Sequence, residues 1–203
     1  MGLFNRNRTS ELEAVANAPV GASVRVDGID AVIAGTIVFE NAGDRWVEHC
    51  LAVGDGRQIW VSIENFDTTV ATRWEAIDAA AVTGGPDANR CGYSSTAFTR
   101  SESGTASFVS KGETGCSPNG SVDFVDFSAT DGSRLGFERF GEVGARRRSI
   151  AVSGNCPNCG AGLTVDPHGR CVHCGAAATV DEGQWGDWEV RLGTDVTKSI
   201  TLS

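Results

Sequence analysis

Apolar and polar residues alternate in short runs along most of this chain, the period expected of half-buried strands. Val24-Arg25-Val26, Ala31 to Phe39, Trp46 to Val53 and Ile59 to Ile63 are such runs, broken by Gly, Asn and Asp. Only the N-terminus reads differently. Residues 1–9 are expected to form a loose tail. Ser10 to Ala18 are expected to form a short helix, with Ser10 and Glu13 spaced as a capping box and Pro19 as its stop. Asp55-Gly56, between two β-rich runs, predicts a type I′ hairpin turn with both central residues at positive φ. Such a two-residue turn would set His49 across from Ser62.

A second Asp-Gly, Asp131-Gly132, follows the first at an offset of 76 residues. The same offset lays Gly28 on Gly104, Ile33 on Val109, Leu51 on Phe127, Ile59 on Leu135 and Val61 on Phe137. Gly28 to Glu64 and Gly104 to Phe140 therefore read as two copies of one β-meander. The strand after the first copy contains Arg73-Trp74-Glu75-Ala76, and Asp187-Trp188-Glu189-Val190 resembles it. The excess length before Trp188 matches the stretch from Ser149 to Gly186. The expected organisation is a tail and short helix over 1–19, a β domain with two meander repeats over 20–148, an inserted module over 149–184, and returning strands over 185–203. An appended module with its own tail strand is the rival topology. The predicted class is all-β: a sheet or barrel-like domain with a small ribbon.

Composition agrees. The chain has 203 residues, 40% hydrophobic and 21% charged, with 26 glycines, as a globular β protein with many turns requires. The net charge of −9 repels nucleic-acid backbone and anionic lipid unless a basic patch intervenes. The one dense patch, Arg146-Arg147-Arg148, is expected to be a solvated linker. No apolar run reaches the ~18 residues of a membrane span, and Met1 to Arg8 lacks the apolar core of a signal peptide. Arg6 occupies the position where a myristoylation motif needs Ser or Thr. A reducing cytoplasmic compartment is the expectation.

In that compartment, paired Cys-x-x-Cys motifs read as metal ligands rather than disulfides. Cys156, Cys159, Cys171 and Cys174 stand in two such pairs, each followed by a glycine (Gly160, Gly175) that lets the turn aim backbone N–H groups at sulfur. The spacing predicts one tetrahedral Zn²⁺. Four thiolates leave no position for water, so the ion would be structural. His173 sits between two ligands and His168 at the hairpin tip, and neither is expected to bind. With its zinc the module carries about −4 charges, which argues against a phosphate-binding face.

The other candidates are weaker. Cys50 reads as a buried thiol, Cys116 as one that could be exposed near Lys111, and Cys91 is not spaced as a ligand. His49 and Ser62 resemble a base and nucleophile, but no orienting carboxylate or oxyanion hole accompanies them. Trp46, Trp60, Trp74, Trp185 and Trp188 are expected to pack in the core or on a sheet face, with Trp185 and Trp188 cementing the module to the domain. No nucleotide-binding or hydrolase motif is present.

Gly35 to Glu40 with Trp46-Val47-Glu48, the Asp55-Gly56 turn with Trp60, Gly92-Tyr93, Gly104-Thr105-Ala106, Gly112-Glu113, Val122 to Phe127, Leu135 to Arg139, and Trp188 to Val190 with Gly193 together form a pattern. It resembles the bacterial family known as domain of unknown function 4178, over residues 20–141 and 185–203. The resemblance implies a β fold and no catalytic residues. It also implies company with membrane-stress and polyamine-related proteins, and so peripheral association with a membrane-stress system. The cysteine module departs from the usual family pattern and looks like the zinc ribbons of many bacterial proteins.

The leading expectation is a non-enzymatic accessory or adaptor protein that contacts a protein partner through the ribbon hairpin, Ala161 to Arg170. One alternative is a ligand-binding or catalytic β domain, which requires Glu48, Glu64, Asp126 or Glu138 to converge with tryptophans in a pocket. The other is a nucleic-acid-binding ribbon, which the charge disfavours.

Overall fold

A computed structural model of the chain describes residues 3–65, 68–149, 154–156, 158–166, 170–176 and 179–203. Helix α1 (Leu3–Ala16) precedes β1 (Ser23–Val26), β2 (Ile29–Asn41), β3 (Asp44–Val53), β4 (Gln58–Asn65) and β5 (Thr69–Ala76). Next come β6 (Val82–Thr83), β7 (Arg90–Tyr93), β8 (Thr96–Gly112), β9 (Asn119–Ser128) and β10 (Arg134–Gly141). β11 (Arg146–Ser149) and β12 (Thr179–Glu182) flank the cysteine module, and β13 (Glu189–Asp195) and β14 (Ile200–Leu202) follow it. The fold is mainly β, as the alternation predicts. No helix among the described residues is long and apolar enough to cross a membrane.

Eight strands close a ring. Starting from β2, the antiparallel order β3, β4, β5, β13, β10, β9, β8 returns to β2. β13 thus lies between β10 and β5, although residues 142–188 separate it from β10 in sequence. The ring has two halves of like order, β2–β5 and β8, β9, β10, β13. Both first strands carry a register shift at matching places, between Ile33 and Gly35 in β2 and between Arg100 and Glu102 in β8.

These pairings correct the repeat alignment. The offset of 76 holds for β3 and β4 against β9 and β10. It fails for the first strand: Gly35 pairs with Cys50, and Glu102 pairs with Asp126. Gly35 therefore corresponds to Glu102, and the expected matches of Gly28 to Gly104 and Ile33 to Val109 are nine residues out. The second copy has a longer β8–β9 connection where the first has only Ala42 and Gly43, both at positive φ. The last strand is also displaced. Trp74 faces Trp60, and the residue facing Gly136, the counterpart of Trp60, is Arg191 rather than Trp188.

The Asp-Gly turns differ from expectation as well. Gly56 has φ 85°, while Asp55 stays out of the left-handed region. The Gly56 N–H bonds Val53 O at 2.9 Å and the Val53 N–H bonds Arg57 O at 3.0 Å, which makes a three-residue loop, a type I turn closed by a glycine bulge. Ala129 to Ser133 repeat this geometry. One extra loop residue slides the register by one, so Val61, not Ser62, stands opposite His49. The helix also differs. It begins at Leu3, so Ser10 is interior and no tail precedes it over residues 3–9. Leu12 and Val15, one turn apart, are buried against the sheet, and Arg8 donates to Thr197 O and Ile200 O at 2.7 Å each. Tertiary packing lengthens a helix whose own propensity is modest.

The main apolar layers lie outside the ring. Val24, Ile33, Leu51, Val61, Ile63 and Ile200 pack with Leu12 and Val15 over the first half. Phe98, Val125, Phe127, Leu135, Phe137 and Val190 pack with Cys91 over the second. Each fully buried large side chain contributes roughly 1.5–3 kcal/mol. Inside, one end is filled by aromatics: Phe39 stacks on Trp46 at 4.9 Å, and Phe108 meets Phe140 edge-on at 5.3 Å. The remainder of the interior mixes acidic side chains with Trp74 and Phe124.

Candidate functional site

Strand alternation aims Glu48 (β3), Glu64 (β4), Glu102 (β8), Asp126 (β9) and Glu138 (β10) at one interior space with Trp46, Trp74 and Phe124. The four carboxylates singled out from the sequence do converge. The open space among them is about 30 Å³, room for a water or a small ion. Two guanidinium groups answer the five acids. Arg134 bonds Glu64 at 2.9 Å and lies 3.7 Å from Asp126, and its guanidinium stands over Trp74. Arg191 reaches Glu48 at 3.5 Å and Glu138 at 3.4 Å, over Trp60. The Trp74 N–H donates to Ser62 Oγ at 2.9 Å. Gly136 and Gly193 leave room for the Trp74 ring, since a Cβ on Gly193 would stand 2.7 Å from it.

This arrangement crowds negative charge. Burial, reinforced by Glu64 and Glu138 and opposed by Arg134, pushes Asp126 up to about 7. Burial and the neighbouring Glu138 carry Glu48 well above the ordinary carboxylate range, against the pull of Arg191. Glu138 is raised by burial too, and its Oε2 receives no hydrogen bond. Sequence reasoning missed both arginines and Glu102, because partners 70 positions apart, as Arg134 and Glu64 are, or 143 apart, as Arg191 and Glu48 are, leave no local signal, and the displaced repeat alignment hid the place of β8.

The histidine and the lone thiols are structural. His49 is fully buried and faces α1, with Nε2 2.9 Å from Val15 O and Nδ1 2.9 Å from Thr36 Oγ1. Burial lowers its pKa. Ser62 points to the opposite face, into the ring, so the two residues do not meet. Cys50 is sealed, and burial raises its thiol. Cys116 is half-buried beside the aromatic cluster rather than fully exposed, and burial pushes it up to about 11, which disfavours the thiolate.

The four module cysteines form a separate cluster. Cys156 Sγ lies 3.7 Å from Cys174 Sγ and Cys159 Sγ 3.9 Å from Cys171 Sγ, and all four sulfurs fall within 4.8 Å of one another. Two equivalent knuckles hold them. The Gly160 N–H bonds Cys156 O and the Gly175 N–H bonds Cys171 O, both at 2.8 Å, with these glycines at φ 73° and 72°. The Asn158 side chain, at 3.5 Å, and the Ala176 N–H donate to Cys174 and pull its thiol down to about 6. The cluster could hold a metal ion. His173 is exposed between its cysteines, and His168 lies outside the described residues.

The base of the module is clamped to the ring. Arg139, on β10, bonds Asp181 with both Nη atoms at 2.8 and 2.6 Å and bonds Asp123 at 2.9 Å. Its guanidinium stands 4.7 Å from both the Trp185 and Trp188 rings. Arg146 and Arg147 are strand residues rather than a solvated linker. Arg146 pairs with Glu182 and Arg147 with Asp87, because β11 and β12 form a hairpin stem beside the ring.

No solved structure matches this chain. Among curated proteins it is 30% identical over 127 residues to the uncharacterized proteins Mb2628 of Mycobacterium bovis and Rv2597 of Mycobacterium tuberculosis. The alignment covers 59% of this chain and 59% of each relative, so the chain spans about three-fifths of their length. A family model matches residues 19–152, a span that takes in β1 to β11 and leaves the cysteine cluster, β13 and β14 outside. With the larger part of the ring inside that match, the chain belongs to the family described as domain of unknown function DUF4178.

Proposed function

We propose that this protein is a non-enzymatic accessory protein that carries a zinc-held ribbon in a fixed pose and meets a protein partner through it. The Arg139 clamp carries this reading. A guanidinium held by two carboxylates and two indole rings fixes the ribbon's base, which presentation of a rigid knob needs and mere metal storage does not. Zinc suits the cysteines, because a tetrahedron with Zn–S near 2.3 Å has sulfur–sulfur edges of about 3.8 Å. Two of the six edges, at 3.7 and 3.9 Å, match this, and all six lie within 4.8 Å. Four thiolates complete the coordination, so the ion would hold the ribbon's shape. The test compares wild type with a variant in which a short Gly-Ser turn replaces residues 150–178. Quantitative affinity purification should recover a partner with wild type and lose it with the variant. Equal recovery from both would sink the ribbon as contact site.

A second reading is favoured by the interior acids, five against two arginines around a space of ion size. The ring would then bind a small cation. Titration of K⁺, Mg²⁺ and methylammonium at pH 8 should raise the melting temperature of wild type and not of Glu138→Gln. If no cation protects, the reading fails.

A further inference from the structure

Outside the ring, a groove of about 540 Å³ runs between the α1–β1 connection and the outer face of β2 and β8. Pro19 and Val20 form its wall, and Val38 and Val109 lie side by side on its floor. Val20 and Val109 are 44% and 53% exposed, among the most exposed large apolar side chains described. The volume falls in the ~300–1,000 Å³ range of small-molecule sites. Arg45 and Lys111 are the charged residues that line it, and no carboxylate does. Both are exposed, and among the described residues neither has an acid within ion-pair distance. Glu40 stands across the β2–β3 ladder from Arg45, and Glu13 and Asp44 line the next recess, so in a chain of net charge −9 the positive character is confined to the groove itself.

We propose that this groove binds a monomeric fatty acid, its alkyl chain along Val20, Val38 and Val109 and its carboxylate on Arg45 or Lys111. The polar side chains of the groove favour an alkyl chain over a peptide. The Thr36 hydroxyl is taken by His49, and the Asn17 amide donates to Glu13 O. β2 and β8 pair with each other here, so no strand edge is free. A peptide lying in the groove would leave its N–H and C=O groups unmatched, at a cost an alkyl chain does not incur. The apolar chain gains by burial, and the carboxylate gains a charged partner in a field otherwise hostile to anions.

The experiment is a titration of the full chain with laurate below its micelle concentration, followed by amide resonances. Saturable shifts at Val20, Val38, Val109 and Lys111 are expected. The double variant Arg45→Glu, Lys111→Glu, with both substitutions on exposed positions, should keep the wild-type melting temperature and bind laurate about tenfold more weakly, the loss of one charged contact. Dodecyltrimethylammonium, with the same chain and opposite charge, should leave these resonances unmoved. Laurate shifts centred elsewhere, equal binding by the double variant, or equal binding of dodecanol would each overturn the proposal. So would groove shifts produced by an acidic amphipathic peptide or by anionic vesicles but not by laurate.

Discussion

Asp126 sits where five strands bring their acids together, and its environment couples protonation to folding. Its folded value, about 7, lies above its unfolded value. Glu48, Glu102 and Glu138 are raised in the same direction by burial. At these four sites the folded state holds more protons than the unfolded one between the unfolded and the folded values, while buried His49, whose value is lowered, acts in the opposite sense below its ordinary range. The stabilisation is complete below the unfolded values and is lost as pH rises through the folded ones. The melting temperature should fall between pH 7 and pH 8.5, above the range in which His49 titrates, at constant ionic strength. Asp126→Asn should be more stable than wild type at pH 8, with the difference closing by pH 5. A flat wild-type profile would contradict this. Conversion of Glu48 to an acid-responsive residue was not legible in the sequence, because alternation tells which residues share a face but not which cations another strand brings.

At the scale of elements, the cysteine knuckles and the Arg139 clamp do separate jobs. The knuckles depend on two glycines at positive φ and four sulfurs, all local in sequence. Elemental analysis should find one zinc per chain, and Cys156→Ser should reduce it to well below half. Chelation of wild type should change amide resonances from 154 to 176 and leave those of β3, β4, β9 and β10 in place. Spread of the changes into the ring would mean that the metal also supports the barrel. Arg139→Ala removes the clamp without touching a ligand. It leaves Asp123 buried without its strongest partner, a loss of roughly 3–5 kcal/mol for a broken buried pair, so the melting temperature should drop by about 10 °C while zinc content stays at one. Loss of zinc from this variant would merge the two roles. The hairpins show a related limit. Asp-Gly correctly located both turns, yet loop length, not the dipeptide, set the register, and a one-residue difference put His49 and Ser62 on opposite faces.

For the whole molecule, ring closure decides what is inside. Two four-strand halves meet at the β5–β13 and β2–β8 seams, and the charged interior exists only because both seams close. Replacing residues 150–178 by a short turn should leave β13 free to seat between β10 and β5, so the variant should melt within a few degrees of wild type. Collapse of that variant would show that the ribbon is needed to place β13. Local signals in the sequence determined the strands, the two Asp-Gly turns, the internal likeness of the halves and the metal-type cysteines. Each depends on side-chain alternation or backbone conformation over a few residues. Only the tertiary structure decided the nine-residue displacement of the repeat, the start of α1, the partners of Arg134, Arg139 and Arg191, and which faces are buried twice over. These follow from contacts between residues far apart in the chain: 143 positions where Arg191 meets Glu48, and 192 where Arg8 meets Ile200. Electrostatics and packing act through space, and sequence order carries no record of such distances until the ring has closed.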